Sequence, residues 1–391
     1  MWIRMRLDIG WNDLGAGLIA CLLPARRSRL ARSTSRAWSA DESALVTLSV
    51  RSGFDLLLRA LQLPRGSEVL FSALTVPDMA QIAEAHGLVP VPVEIDRSGN
   101  LDLKSLRQVI TPRSRILVVA HLFGGTAKLD EVCAIAKSAD LMVVEDCAQS
   151  FTRVGDHGHA SGDVTLFSFG PIKSATALGG ATIVLKSDDL RVRMKAILND
   201  DPVQTRTSFA RRLAWFSLLK LLSGKRMSAA FRKVLEHLAI DFDRFASSAA
   251  RGFRGTDLLE QLRRQPSVPL LRLMKRRWRS YRFDRISRRR SLGERLDDHL
   301  GLPRPKTHSY WIYPYYSDSP NSLCTRLQNA GFDATCRSRM AVVSDHSSSK
   351  AMKIHANWQQ VVFLPWYPDL TPAAVDKMAE IIAKEAASPA P

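Results

Sequence analysis

The sequence predicts an α/β fold: a large domain built on a mostly parallel sheet sandwiched by helices, and a smaller α+β domain at the C-terminus. Two observations predict it. Apolar strand-like runs alternate with amphipathic helical runs through the first half of the chain, and this βαβ rhythm gives a parallel sheet covered on both faces. The length of 391 residues suffices for one large and one small domain.

The elements follow in order. "GSEVLFSAL" (66–74) reads as a strand after a Pro-Arg-Gly turn, and "PDMAQIAEAHG" (77–87) as a helix closed by Gly87. "LVPVPVEID" (88–96) is a strand, "LDLKSLRQVI" (101–110) a helix, and "SRILVVAHLFG" (114–124) a buried strand of the parallel type. "KLDEVCAIAKSAD" (128–140) is a helix and "LMVVED" (141–146) a strand. "DVTLFSFG" alternates like a strand and is followed by a turn through Pro171, Ile172 and Lys173. Three regions result: an N-terminal basic, amphipathic segment (1–43), a large domain (44–265) carrying a basic amphipathic insert at about 204–250, and a small domain (266–391).

Composition narrows the function classes. The hydrophobic share is 46%, which suits a folded chain rather than a disordered one. Five scattered cysteines form no CxxC pair, so neither a disulfide framework nor a zinc site is expected, and a reducing cytoplasm is. No apolar run reaches the ~18 residues of a membrane span. The first residues lack the order of a secretory signal: Asp8 and Asp13 interrupt them and the basic cluster follows the apolar run. The net charge is +18, and residues 211–290 concentrate it, with 22 Lys and Arg against 6 Asp and Glu. Such a block points to an anionic partner or to a solvated basic surface, but no nucleic-acid recognition motif accompanies it. Within it, Leu213, Phe216, Leu219 and Leu222 recur at helical spacing between basic residues. That pattern suits either an anionic membrane interface, at the inner face of the membrane, or an apolar face packed on the body or across a dimer.

In open parallel sheets ligands sit beyond the carboxyl ends of the strands, where His121 and Asp146 fall. Lys173 sits in a turn that fixes its backbone, and partial desolvation there would favour the neutral, nucleophilic amine. A lysine nucleophile with a separate strand-end Asp is the minimal set for pyridoxal phosphate (PLP) chemistry, in which the Asp keeps the pyridine nitrogen protonated.

The chain resembles the DegT/StrS family of PLP-dependent sugar aminotransferases. The resemblance rests on Glu145-Asp146-Cys147-Ala148-Gln149, Ser168-Phe169, Lys173 and Gly179-Gly180, on "AHLFGG" (120–125), and on the C-terminal runs 321–335 and 363–382. It implies the aspartate-aminotransferase fold, type I of the PLP-dependent transferases, and a homodimer. It also implies that an amino acid, glutamate by family analogy, gives its amino group to a keto group on a sugar, nucleotide-sugar or lipid-linked acceptor. Lys173 would carry the Schiff base and shuttle a proton, Asp146 would pair with the pyridinium, Gln149 would lie near the phenolic oxygen, and Ser168 would hold the phosphate. Arg51 and Ser52 open a helix in "SVRSGFDLLLRAL" (49–61) and would offer N–H groups to that phosphate, with His121 and Arg254 as substrate contacts. No metal is implied. Three departures stand out: Val76 replaces a stacking aromatic, the Gly-x-Asn-x-Arg loop is blurred to "ARGFRGTDLLEQL" (250–262), and the stretch before that loop is long. They motivate an alternative, a protein of this fold with altered or lost catalysis that acts as a regulatory or membrane-surface partner.

Overall fold

The computed structural model describes residues 2–4, 6–224, 257–305, 307–338, 340–343 and 358–386. Arg254 and the insert from residue 225 onward lie outside the described residues.

The chain opens with α1 (Trp11–Leu22) and α2 (Arg27–Trp38), then β1 (Ala44–Thr47) and α3 (Val50–Leu61). β2 (Glu68–Ser72), β3 (Leu74–Thr75), α4 (Pro77–Ala85), β4 (Val89–Val93), α5 (Leu103–Val109), β5 (Ser114–Ala120), α6 (Asp130–Ser138) and β6 (Met142–Asp146) follow the predicted alternation, each trimmed by a few residues. Next come β7 (Val164–Ser168), β8 (Ala181–Leu185), α7 (Asp188–Asp200) and α8 (Arg206–Leu222). Beyond the undescribed segment stand α9 (Leu258–Leu262), α10 (Val268–Ser280), α11 (Asp284–Leu300), β9 (Tyr313–Tyr316), α12 (Pro320–Asn329), β10 (Ala341–Val342), β11 (Val361–Leu364) and α13 (Pro372–Ala386).

The central sheet runs β1-β8-β7-β6-β5-β2-β4. Neighbours from β7 to β4 are parallel, and β8 runs antiparallel to both β7 and β1. Strand alternation splits the apolar side chains between two faces: Val69 and Phe71 join the core under α3 and α4, while Leu70, Leu117 and Val119 join the core under α5 and α6. Each fully buried Leu or Phe in these layers contributes about 1.5–3 kcal/mol. Gly53 lets α3 lie against β8, because a Cβ there would stand 2.4 Å from Ile183 Cδ1.

Packing refines the regions drawn on the sequence. α1 and α2 lie against the large domain: Gly17 abuts Leu213 and Leu273, and Asp13 accepts from Arg276 and Arg277, each at 2.7 Å. α10, which the sequence places in the small domain, shares a core with the large one, where Leu270, Met274 and Trp278 pack with Phe167, Phe169 and Leu178. The small domain's own core starts on α11 with Leu292 and Leu296 and is completed by α12, α13, β9 and β11. On α8, Leu213, Phe216 and Leu219 of the apolar stripe read from the sequence are buried, with Phe209 beside them, and Leu222 is half-buried, so most of the stripe packs inward on the protein body.

Candidate active site

Asp146 ends β6, and its register partner on β7 is Leu166. Two residues further, Ser168 ends β7, and the chain turns through 169–180 into antiparallel β8. That antiparallel return holds Lys173 at the same sheet edge as Asp146. The turn is pinned from inside. Lys173 N–H donates to the Gly170 carbonyl at 3.1 Å, and the Thr176 hydroxyl donates to the same carbonyl at 2.6 Å. Ala175 and Leu178 take left-handed backbone conformations, φ 52° and 62°, a strain the surrounding packing sustains at the lysine loop. Gly180 is required for two reasons: its φ is +85°, and a Cβ would meet Met274 Sδ at 2.3 Å.

Lys173, Asp146, Gln149, Ser168 and Arg51 line one cavity of about 1300 Å³. The Lys173 amine lies 4.1 Å from the centre of the Trp311 ring. Burial, aided by Arg51 and opposed by Asp146, brings its pKa down to about 8. Asp146 is buried, and burial raises its pKa against the Ala148 N–H, Lys173 and His121. Its carboxylate accepts a hydrogen bond from Ala148 N–H at 3.0 Å. Gln149 accepts from Phe123 N–H at 2.9 Å through Oε1 and points its amide at Met340. Ser168 Oγ faces Gly170 N–H at 3.5 Å.

At the α3 end the helix cap is Ser49, whose hydroxyl accepts from Ser52 N–H at 3.0 Å. Ser52 is buried behind it, while Ser49, Val50 and Arg51 line the cavity and Arg51 pairs with Asp78. His121 stands apart from this lining. It is 2% exposed, its Nδ1 accepts from Ala127 N–H at 2.9 Å, and its Nε2 therefore carries the proton toward Glu145, 3.2 Å away. Both ring nitrogens are thus engaged inside the protein.

Two lining residues escaped the sequence reading. Arg212 of α8 reaches the cavity and donates to the Leu178 carbonyl; burial and Arg51 bring its pKa down to about 10. Trp311 lies against Lys173, anchored by its indole N–H on the Ile172 carbonyl at 3.1 Å. No local spacing marks either one, since each arrives from a distant segment.

Residues 33–213 match the model of the DegT/DnrJ/EryC1/StrS aminotransferase family. Over this stretch, just under half of the chain, the sequence resembles that family. A UDP-N-acetyl-3-dehydro-alpha-D-glucosamine 3-aminotransferase of Acidithiobacillus ferrooxidans is 33% identical over 161 residues, 39% of this chain and 44% of that protein. A GDP-perosamine synthase of Caulobacter vibrioides is 33% identical over 145 residues, 36% and 39% of the two chains. The matched stretch thus spans less than half the length of these relatives. Among solved structures, the aminotransferase TlmJ from Streptoalloteichus hindustanus superposes with a TM-score of 0.71 at 18% identity, covering 99% of both chains. The sugar aminotransferase CalS13 from Micromonospora echinospora gives 0.71 at 21%, covering 98% of this chain and 100% of its own. The chain accordingly has the fold of these aminotransferases.

The residues present fit that cofactor. Arg51 and Arg212 bring two guanidinium groups to one wall beside the α3 N-terminus, a setting for a phosphate. Asp146 is a buried carboxylate in want of a cation, which a protonated ring nitrogen supplies. Val76 lines the same cavity, so it would offer the ring an aliphatic side chain in place of a stacking aromatic.

Proposed function

We propose that the protein is a PLP-dependent aminotransferase that moves an amino group from an amino acid, glutamate in this reading, to a keto group on a sugar-like acceptor. The observation that carries it is the buried Lys173 amine, its pKa brought down to about 8, in one cavity with Asp146 and two guanidinium groups. When bound, PLP supplies a carbonyl that takes up the amino group and a ring that withdraws electrons from the bond being broken. Arg51, Arg212 and the α3 N-terminus would hold the phosphate, with Ser168 as a further contact. Asp146 would keep a proton on the ring nitrogen. Gln149, fixed by Phe123 N–H, would offer its amide to the ring's oxygen. The Lys173 amine would take a proton from the substrate carbon and return it on the other side of the transfer.

The test is the visible spectrum of the purified protein with added PLP. A band that borohydride fixes onto Lys173, and that glutamate shifts before fixation, is the expected result. A wild-type protein without the band, or a band fixed elsewhere, overturns the reading.

The reading includes a homodimer, as the family resemblance implies, and a peripheral contact with an anionic membrane surface. What supports the contact is the outer face of α1 and α8. No described helix is long and apolar enough to cross a membrane. Yet Ile19 (58% exposed) and Leu22 (80%) on α1 and Leu221 (54%) on α8 stand exposed, and Trp11 lies by the basic Lys220, features suited to lying on an anionic interface. Flotation with phosphatidylglycerol vesicles should carry the protein up, and Ile19→Ser/Leu22→Ser should leave it at the bottom. A wild-type protein that stays at the bottom ends the membrane contact and leaves the transaminase reading intact.

A further inference from the structure

Two thiols meet in the small domain. Cys324 stands on α12 and is buried, and Cys336 lies half-buried in the segment that follows that helix. They are twelve positions apart, a spacing that marks no motif, yet their sulfurs are 2.8 Å apart. That is about 0.8 Å beyond a disulfide bond of ~2.05 Å. The backbone holds both in place. Leu323 and Leu327 seat α12 in the small-domain core. Next to Cys336, Thr335 exchanges both backbone hydrogen bonds with Phe363, at 3.1 and 2.7 Å, and Gln328 Nε2 donates to the Ala334 carbonyl at 2.9 Å. The Cys336 thiol also donates to the Pro320 carbonyl at the start of α12, at 3.3 Å. A thiol is a weak donor and a weak acceptor, so a sulfur–sulfur contact adds little stability of its own and is not what holds these segments together.

Cys336 also opens the stretch that walls the cavity of Lys173. Arg337 and Ser338, the next two residues, line that cavity, and so does Met340, whose sulfur takes the Gln149 amide at 3.3 Å. Ala341 and Val342 then pair with Thr75 and Leu74 of β3. We propose that Cys324 and Cys336 are an oxidisable pair, a modification site at which a small-molecule disulfide such as oxidised glutathione creates a bond that anchors this wall of the cavity to α12. The half-buried Cys336 reacts first: its thiol gives up a proton, and the thiolate attacks one glutathione sulfur and releases the other as a thiolate. Cys324, deprotonated in turn, attacks the Cys336 sulfur and releases the second glutathione. The two protein thiols lose two electrons and two protons, and the reagent leaves as two glutathione thiols. The other cysteines are poor competitors. Burial raises the pKa of Cys21, Cys147 and Cys133, the last to about 11, so each holds little thiolate. The bond does not depend on what the cavity binds.

The experiment treats the full chain, purified with reductant and then freed of it, with oxidised glutathione beside a sample kept in reduced glutathione. Remaining thiols are alkylated after unfolding, and the protein is digested with trypsin. Cleavage after Arg326 puts the two cysteines on separate peptides, 307–326 and 327–337. In the oxidised sample these two should be joined, with the loss of two hydrogens, while Cys21, Cys133 and Cys147 carry the alkyl group. Cys324→Ser should stop the reaction at a mixed disulfide of Cys336 with glutathione, and Cys336→Ser should leave Cys324 alkylated. Hydrogen exchange on the intact wild type reads the wall itself: amides of 335–338 and 340–343 should exchange roughly tenfold more slowly after oxidation, a change absent in Cys336→Ser. Cys324 and Cys336 both alkylated in the oxidised wild type, or either one joined to a different cysteine, overturns the pair. A joined pair with unchanged exchange over 335–343 overturns the anchoring of the wall. Both readings come from the wild type, so a variant that folds poorly does not shield the proposal.

Discussion

Lys173→Ala is expected to lower the transamination rate by at least about a thousandfold, since in the proposed reaction it removes both the covalent anchor and the base that moves the proton. The loss should fall on kcat more than on binding of PLP, because Arg51, Arg212 and Asp146 remain to hold the phosphate and ring. Lys173 also predicts a pH dependence in the intact protein. Burial is the main reason its pKa is near 8, and the positive charge of Arg51 adds to it against the attraction of Asp146. The charged form dominates below that pH and the neutral, reactive form above it. About one tenth of the amine is neutral at pH 7 and about nine tenths at pH 9. Capture of PLP by the unloaded protein should therefore speed up about tenfold between those values and then level off, whereas an ordinary lysine would keep accelerating beyond pH 9. Arg51→Gln removes a like charge, so the lysine pKa rises and the plateau moves to higher pH. A Lys173→Ala protein that turns over within tenfold of the parent takes Lys173 out of the reaction. A capture rate indifferent to pH between 7 and 9 removes the lowered pKa.

What could be read from the sequence and what could not divides along one physical line. Asp146, Gln149, Ser168 and Lys173 lie within a single strand–loop–strand stretch, so their spacing already fixes their meeting at one sheet edge. The alternating elements from β2 to β6 were legible for the same reason: each depends on local periodicity. The α3 terminus was legible only in part. The sequence offers Ser49 and Ser52 on adjacent turns, and only the backbone shows that Ser49 caps while Ser52 donates its N–H to it. His121 sits at a strand end like Asp146, but Ala127 N–H and Glu145 claim both its nitrogens, a tertiary fact no spacing carries. The stripe on α8 announced an amphipathic helix without naming the partner of its apolar face, which turns out to be α1 and α10. Arg212 and Trp311 come from segments far along the chain. In the sequence Arg212 is one of 22 basic residues in a run that reads as an anion-binding or solvated surface, and only its place on the cavity wall separates it from the rest.

Asp146→Asn is the second large effect expected, a fall in kcat of roughly 10²–10³ with the fold intact. The carboxylate is held by Ala148 N–H at 3.0 Å, and an amide at the same place can turn its oxygen to the same donor, so the loop survives. What the amide cannot do is keep a proton on the ring nitrogen, and a neutral ring withdraws electrons poorly. The carboxylate's environment makes a further distinction from a merely structural role. Burial raises its pKa, with the Ala148 N–H, Lys173 and His121 opposing. In the unloaded protein the group therefore takes up its proton at a higher pH than an ordinary aspartate. A cation at the ring nitrogen favours the ionised form and lowers that pKa on binding. PLP affinity should then weaken as pH falls through the raised pKa of the unloaded protein, because the site must give up a proton to bind. In Asp146→Asn this dependence should vanish, and the affinity should be lower across the range. Asp146→Glu keeps the charge and should retain the slope while losing part of the rate through misplacement. An Asp146→Asn protein with the parent's kcat, or one whose PLP affinity still falls with pH as the parent's does, would show that the carboxylate serves the loop and not the ring.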